Sequence, residues 1–226
     1  DDSIGHERQG KHRSLKAKVK SSRSSKQSLK KTQGTASSKR KDELSDLVKM
    51  IYKAHSKNSS DLPVGKLMNP DTPLNKFRGG RQNQSRDTKI IITSRNSTTG
   101  TGKTTLAVWL ALNWDQYGFT ADKATLNPSE YIDKYLETRP GEVLIMDEAE
   151  QLDARRSMSN ENLEFADRWQ QLRYRQVDSI LTLPTASALD KRLEELADIW
   201  INVTGRGYAQ VHRTTVNDRT KKINQI

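Results

Sequence analysis

The chain has 226 residues, no cysteine and a net charge of +11, from 39 Lys/Arg against 28 Asp/Glu. That length allows one α/β domain with a sizeable core and further segments. The lack of cysteine excludes disulfide frameworks and thiolate metal sites and points to a reducing, cytoplasmic setting, while no apolar run approaches the ~20 residues of a membrane span and no signal-peptide core is present.

The charge excess sits in residues 1–41, which hold 13 Lys/Arg and 3 Asp/Glu and so carry +10 of the total. This Ser/Lys/Arg-rich segment has no aromatic residue and too little apolar surface to offset chain entropy, and it reads as disordered. It is either a sequence-independent electrostatic tether to nucleic-acid phosphates or a solubilising tail. The chain opens on Asp1 rather than Met, as a fragment or processed product does.

Residues 42–56 carry Leu44, Leu47, Val48, Ile51 and Tyr52 at helical spacing, which predicts an amphipathic helix. Residues 57–88 are polar, with Pro63, Pro70, Pro73 and the Gly79-Gly80 pair, and read as a linker. From 89 to 216 the pattern alternates. Strands are expected over 89–94, 142–147, 178–183, 199–203 and 207–216. Helices are expected over 103–115, 129–137, 160–174 and 187–197, the last with a capping box from Ser187 to Asp190. This alternation predicts a mostly parallel α/β sheet with helices on both faces. Residues 217–226 read as a polar tail. His6, His12, His55 and His212 are too scattered for a catalytic metal cluster.

The segment "RNSTTGTGKTTLAVW" (95–109) follows the apolar run "KIIIT". A strand, a Gly-rich loop and then a helix make the context of a phosphate-binding loop. Backbone N–H groups over Thr99, Gly100, Thr101, Gly102, Lys103, Thr104 and Thr105, with the positive helix N-terminus, form an anion cradle. In it, Lys103 would reach the β- and γ-phosphates of ATP, and the Thr104 hydroxyl would coordinate Mg²⁺. The usual pattern G-x-x-x-x-G-K-[ST] begins with Gly, and here Ser97 stands in that place. Asn96 beside it tolerates left-handed backbone better than most residues.

The segment "EVLIMDEAE" (142–150) sets a carboxylate at the C-terminal end of a buried strand, where ligands bind in open α/β sheets. This is a Walker B pattern. Asp147 would hold Mg²⁺, and Glu148 would orient and deprotonate an attacking water. A phosphotransferase with a bound acceptor has no need of such a base, so Glu148 favours hydrolysis.

With "STTGTGKTT", "VLIMDEAE" and "LRYRQVDSILTLPTASALDKRLEELADIWINV" (172–203), the chain resembles the additional-strand, catalytic-glutamate P-loop ATPases. Within them it is similar to the FtsK–HerA clade, which includes viral packaging ATPases and zonula-occludens-toxin-like proteins. The resemblance covers about residues 89–204 and implies a RecA-like sheet and a Mg²⁺-ATP-driven motor acting on DNA for a virus or mobile element. It further implies a homo-oligomeric ring, with six subunits as one candidate number, and cytoplasmic or virion-associated placement. It assigns Thr182 as a γ-phosphate sensor, although the usual Gln after it is replaced by Leu183. It also implies an arginine offered to the neighbouring subunit's nucleotide: Arg155 or Arg156 first, then Arg173 or Arg175. The alternatives are a P-loop kinase or other metabolic NTPase, and a non-catalytic DNA-binding switch protein.

Overall fold

A computed structural model describes residues 38–51, 71–94, 100–149, 160–185, 190–216 and 223–225. By backbone proximity the chain divides into Asp1–Glu43 and Leu44–Ile226. Residues 38–51 form helix α1, and its opening residues 38–43 are all that is described of the first unit. The helix expected over 42–56 thus starts earlier, and 52–56 lie outside the described residues.

In the second unit, the segment expected as a linker contains helix α2, Pro73–Asn83. Pro73 suits the first helical turn, where its missing N–H costs nothing. Thr72 caps the helix by accepting from the Asn75 N–H at 3.3 Å. The Gly79-Gly80 pair lies inside this helix rather than ending it. Tertiary contacts described below override its weak propensity.

The alternation then follows expectation closely: β1 (Lys89–Ser94), α3 (Lys103–Trp114), β2 (Ala124–Thr125), α4 (Pro128–Glu137), β3 (Val143–Met146), α5 (Asn160–Gln171), β4 (Asp178–Thr182), α6 (Lys191–Leu196), β5 (Ile199–Gly205) and β6 (Tyr208–Val216). A final strand, β7 (Ile223–Gln225), falls within the segment expected as a polar tail. The two-residue β2 is also unforeseen. The α6 cap differs too: the Asp190 carboxylate accepts from the Arg192 N–H at 3.0 Å, so Asp190 is the N-cap itself. Ser187 lies outside the described residues.

The sheet order is β2-β3-β4-β1-β5-β6-β7. The pairs β2–β3, β3–β4, β4–β1 and β1–β5 are parallel, and β5–β6 and β6–β7 are antiparallel. The protein is therefore a mixed α/β fold around a mostly parallel sheet. β4 lies between β1 and β3.

Successive side chains on a strand point to opposite faces. Ile90, Ile92, Val143, Ile145 and Ile180 pack on one face with α3 and with Leu44 and Ile51 of α1. Ile91, Leu144, Met146 and Leu181 pack on the other with Tyr131 and Tyr135 of α4, Phe165 and Trp169 of α5, and Leu193 of α6. Burial on both faces explains why these strands read as continuous apolar runs. No helix among the described residues is long and apolar enough to cross a membrane.

The N-terminal ends of the parallel strands carry a dense charged cluster. The Arg78 Nε of α2 donates to Asp178 Oδ2 at 2.6 Å, and its Nη2 donates to the Trp114 carbonyl at 2.6 Å. Arg81 Nη2 donates to Asp198 Oδ2 at 3.0 Å, and Arg173 Nη2 to Asp198 Oδ1 at 3.1 Å. The fully buried Lys89 ammonium lies 2.8 Å from Asp87 Oδ2 and 4.4 Å from the centre of the Trp169 ring. Asp178 and Asp198 also accept the backbone N–H groups of Thr88 and Lys89. Helix α2 is thereby tied to the starts of β4 and β5, and its own sequence gives no sign of those partners.

Candidate nucleotide site

The C-terminal ends of the same strands gather the residues singled out by the two motifs. β1 ends at Ser94, and Gly100 and Gly102 precede α3 with φ of +74° and +96°. An added Cβ would meet nothing within 4 Å at either glycine. The left-handed backbone, not crowding, is what favours glycine there. Gly102 is the N-cap of α3, and its carbonyl accepts from the Leu106 N–H at 2.9 Å. Helix starts leave their first N–H groups without intrahelical acceptors, so this turn offers donors and a positive dipole end to an anion.

Three hydroxyl and carboxyl groups then form a compact set. Thr104 Oγ1 donates to Asp147 Oδ1 at 2.8 Å, and Thr182 Oγ1 donates to the same oxygen at 2.7 Å. The Glu148 N–H donates to Thr182 Oγ1 at 3.0 Å. The topology dictates this meeting. Thr182 is the last residue of β4, and β4 is the immediate neighbour of β3, whose end delivers Asp147. Asp147 is 1% exposed, whereas Glu148 faces solvent.

Glu148 has φ of +53°, a left-handed conformation that few non-glycine residues adopt. The Thr182 hydroxyl holds its amide in that turn. A hydroxyl has one proton to give, and here it goes to Asp147. Thr182 thereby contacts both acidic residues. Lys103 Nζ donates to Ser94 Oγ at 3.3 Å, and Ser94 Oγ donates to the Pro184 carbonyl at 3.0 Å. Ser94 was not singled out in the sequence, although a polar residue closing an isoleucine run just before a glycine loop is a usable signal.

The structure thus brings together Lys103, Thr104, Asp147, Glu148 and Thr182, with Gly100, Thr101, Gly102 and Thr105 around the turn. Thr99, Arg155 and Arg156 lie outside the described residues, as does Ser97. Arg173 and Arg175 are engaged at the opposite end of the strands. Arg173 binds Asp198 and the Leu196 carbonyl, and Arg175 Nη2 donates to the Thr138 carbonyl at 3.1 Å.

The donor set fits a nucleotide with a hard divalent cation. A Thr hydroxyl beside a buried carboxylate oxygen is the ligand chemistry Mg²⁺ takes when most of its shell is water and phosphate. No cluster of three or more His, Cys, Asp or Glu able to hold a metal by itself occurs among the described residues.

No protein-family model and no curated protein matches the chain. Among solved structures it is similar to the N-terminal domain of zonular occludens toxin from Neisseria meningitidis, at 17% identity over 62% of this chain and 94% of that one, with a TM-score of 0.40. It is also similar to a chain of the HORMA:CdnC:Trip13 complex of E. coli MS115-1, at 16% identity over 73% of this chain and 61% of that one, with a TM-score of 0.41. A third likeness is to the genome packaging NTPase B204 from Sulfolobus turreted icosahedral virus 2 in complex with AMP. There the identity is 11% over 62% of this chain and 96% of that one, with a TM-score of 0.35. Likenesses at this level carry no argument about activity.

Proposed function

We propose that the protein binds and hydrolyses Mg²⁺-ATP and that it serves as a DNA-directed motor of a virus or mobile element. The observation that carries the Mg²⁺-nucleotide reading is the Thr104–Asp147 contact of 2.8 Å beside the left-handed Gly100 and Gly102, and the exposed Glu148 next to Asp147 supports hydrolysis. The strand order supports the same class, since β4 is the additional strand inserted between the strand before the loop and the strand carrying Asp147.

In this reading the loop N–H groups, the α3 dipole and Lys103 hold the polyphosphate. Lys103 exchanges its Ser94 contact for phosphate oxygens. Thr104 and Asp147 would hold Mg²⁺, which would supply positive charge against the polyphosphate. Glu148 orients a water and accepts its proton as the water oxygen bonds to the γ-phosphorus, the bond from that phosphorus to the β–γ bridging oxygen breaks, and ADP and inorganic phosphate leave. Thr182 is a positioning residue that fixes the Asp147 carboxylate and the Glu148 turn. Residues 1–41 tether DNA phosphates, a ring of subunits surrounds the DNA, and Arg155 or Arg156 stabilises transition-state charge on the neighbouring subunit.

The test is ATP turnover with and without DNA, together with the mass of the assembly in solution. DNA-stimulated hydrolysis by a homo-oligomer supports the motor. ATP-independent DNA binding without turnover favours a switch protein instead. Removing residues 1–41 should reduce the log–log salt slope of duplex binding by about 0.9 per lost phosphate contact. An unchanged slope would assign the contacts to the rest of the chain.

A further inference from the structure

Residues 199–216, which form β5, the turn after it and β6, contain no Asp or Glu and carry Arg206, His212 and Arg213. The helices differ: α4 exposes Asp133 and Glu137, and α5 exposes Glu164 and Asp167. The ribbon is also open. Residues 208–211 are exposed on both faces of β6, and β7 pairs only with Thr214, Thr215 and Val216. Among the described residues, 208–213 are therefore an uncovered margin of the sheet.

Aromatic and amide side chains alternate along this margin. At the two-residue period of a strand, Tyr208, Gln210 and His212 follow one another on β6, and Gln210 and His212 lie opposite Asn202 and Trp200 of β5. The Trp200 indole N–H donates to Thr93 Oγ1 at 2.7 Å, and the His212 ring lies 5.5 Å from the indole, centre to centre. Tyr208 is 75% exposed although it is a large aromatic. It flanks the two-residue turn Arg206–Gly207, where Gly207 has φ of +82°. A turn this short holds its flanking residues in place.

We infer that the β5–β6 hairpin binds single-stranded nucleic acid, with a base stacked on Tyr208 and a backbone phosphate on Arg206. The inference rests on the DNA-directed reading above and adds a second contact to that of residues 1–41. An aromatic ring left in water beside an arginine, on a ribbon without acidic residues, suits a ligand that offers flat rings and negative charge together. The ring selects a single strand, because the bases of a duplex are already stacked on one another. Every base has a face to stack, so the contact tolerates any sequence. The hairpin also borders the glycine turn, since Gly100, Thr101 and Gly102 share one cleft with Arg206, Gly207 and Tyr208. A strand held here is a neighbour of the loop proposed for the polyphosphate.

Fluorescence anisotropy on the full chain tests the assignment with two probes, oligothymidylate and a duplex of equal length, each over a range of salt. Tyr208→Ala should weaken oligothymidylate binding roughly tenfold, as loss of an aromatic–base stack does, with the salt slope, duplex affinity and Mg²⁺-ATP affinity unchanged. Tyr208→Phe should keep the wild-type affinity. Arg206→Ala should instead reduce the log–log salt slope on oligothymidylate by about 0.7, the value for one phosphate contact on a single strand. Equal losses on both probes, or a matching loss of ATP affinity, would overturn the assignment. Loss on neither probe would also overturn it and leave the exposed margin to a protein partner. Wild-type protein that binds duplex but not oligothymidylate would overturn this inference alone, whereas binding to neither would overturn the DNA-directed reading and the hairpin contact with it.

Discussion

The two ends of one parallel sheet use the same kinds of residue in opposite ways. At the N-terminal ends, Asp178 and Asp198 are closed off by Arg78, Arg81 and Arg173 and by backbone N–H groups. Burial pushes both carboxyls above their usual range, against the downward pull of those arginines. At the C-terminal ends, Asp147 accepts from the hydroxyl groups of Thr104 and Thr182, and the exposed Glu148 follows it in a left-handed turn. Charges at one end are matched within the chain, which suits a structural joint. At the other end the chain supplies hydroxyls and helix-start N–H groups beside a carboxylate, which suits a charged ligand from solution.

The largest expected effect lies at the open end. Glu148→Gln keeps the side chain's shape and loses its basicity. ATP affinity should hold while single-turnover hydrolysis slows roughly 10²–10⁴-fold, the range for a lost general base. Hydrolysis at the wild-type rate would make Glu148 an ordinary strand-end carboxylate. Lys103→Ala should separate the ends further by abolishing tight ATP binding with no loss of melting temperature.

The reverse pattern is expected at the closed end. Arg78→Ala leaves Asp178 buried without its arginine, and breaking a buried pair in this way costs about 3–5 kcal/mol. Denaturant unfolding should register that loss, and phosphate-loop affinity should survive wherever the variant is folded. A neutral result would mean that α2 is not a structural joint.

Lys89 gives a smaller, pH-dependent effect. Burial lowers its pKa from 10.5 to about 8, with Asp87 pulling it back upward. Between pH 8 and 10.5 the unfolded chain binds more protons at this residue than the folded one, so Lys89's contribution to stability rises with pH. The stability difference between wild type and Lys89→Met should therefore shift in favour of wild type by up to about 3 kcal/mol from pH 7.5 to pH 10.5. A constant difference would place Lys89's folded pKa near that of the unfolded chain.

The smallest effect concerns Thr182. Thr182→Val removes the hydrogen bonds to Asp147 and from Glu148, each worth about 0.5–1.5 kcal/mol. Turnover should fall roughly tenfold with little change in ATP affinity. A loss of affinity as large as the loss of turnover would favour direct phosphate contact over positioning.

Much of this was legible in the sequence because it depends on local pattern. The apolar runs at 89–94, 142–147 and 178–183 match β1, β3 and β4 within a residue, since burial on both faces keeps the middle of each strand apolar and leaves its polar residues at the ends. The glycine turn, Lys103, Thr104 and Asp147 follow from residue type and spacing alone. Helix α2 did not, because its partners Asp178 and Asp198 lie 100 and 117 positions away. The short β2 and β7 exist only through pairing with β3 and β6. Tertiary structure alone decided that Thr182 would donate to Asp147, because that contact requires β4 to be inserted beside β3. It also decided that Tyr208, unremarkable in the sequence, would stand beside the Gly100–Gly102 turn. Sequence fixes which groups are available and which way a strand or helix presents them, while the order of strands in the sheet fixes which of them meet.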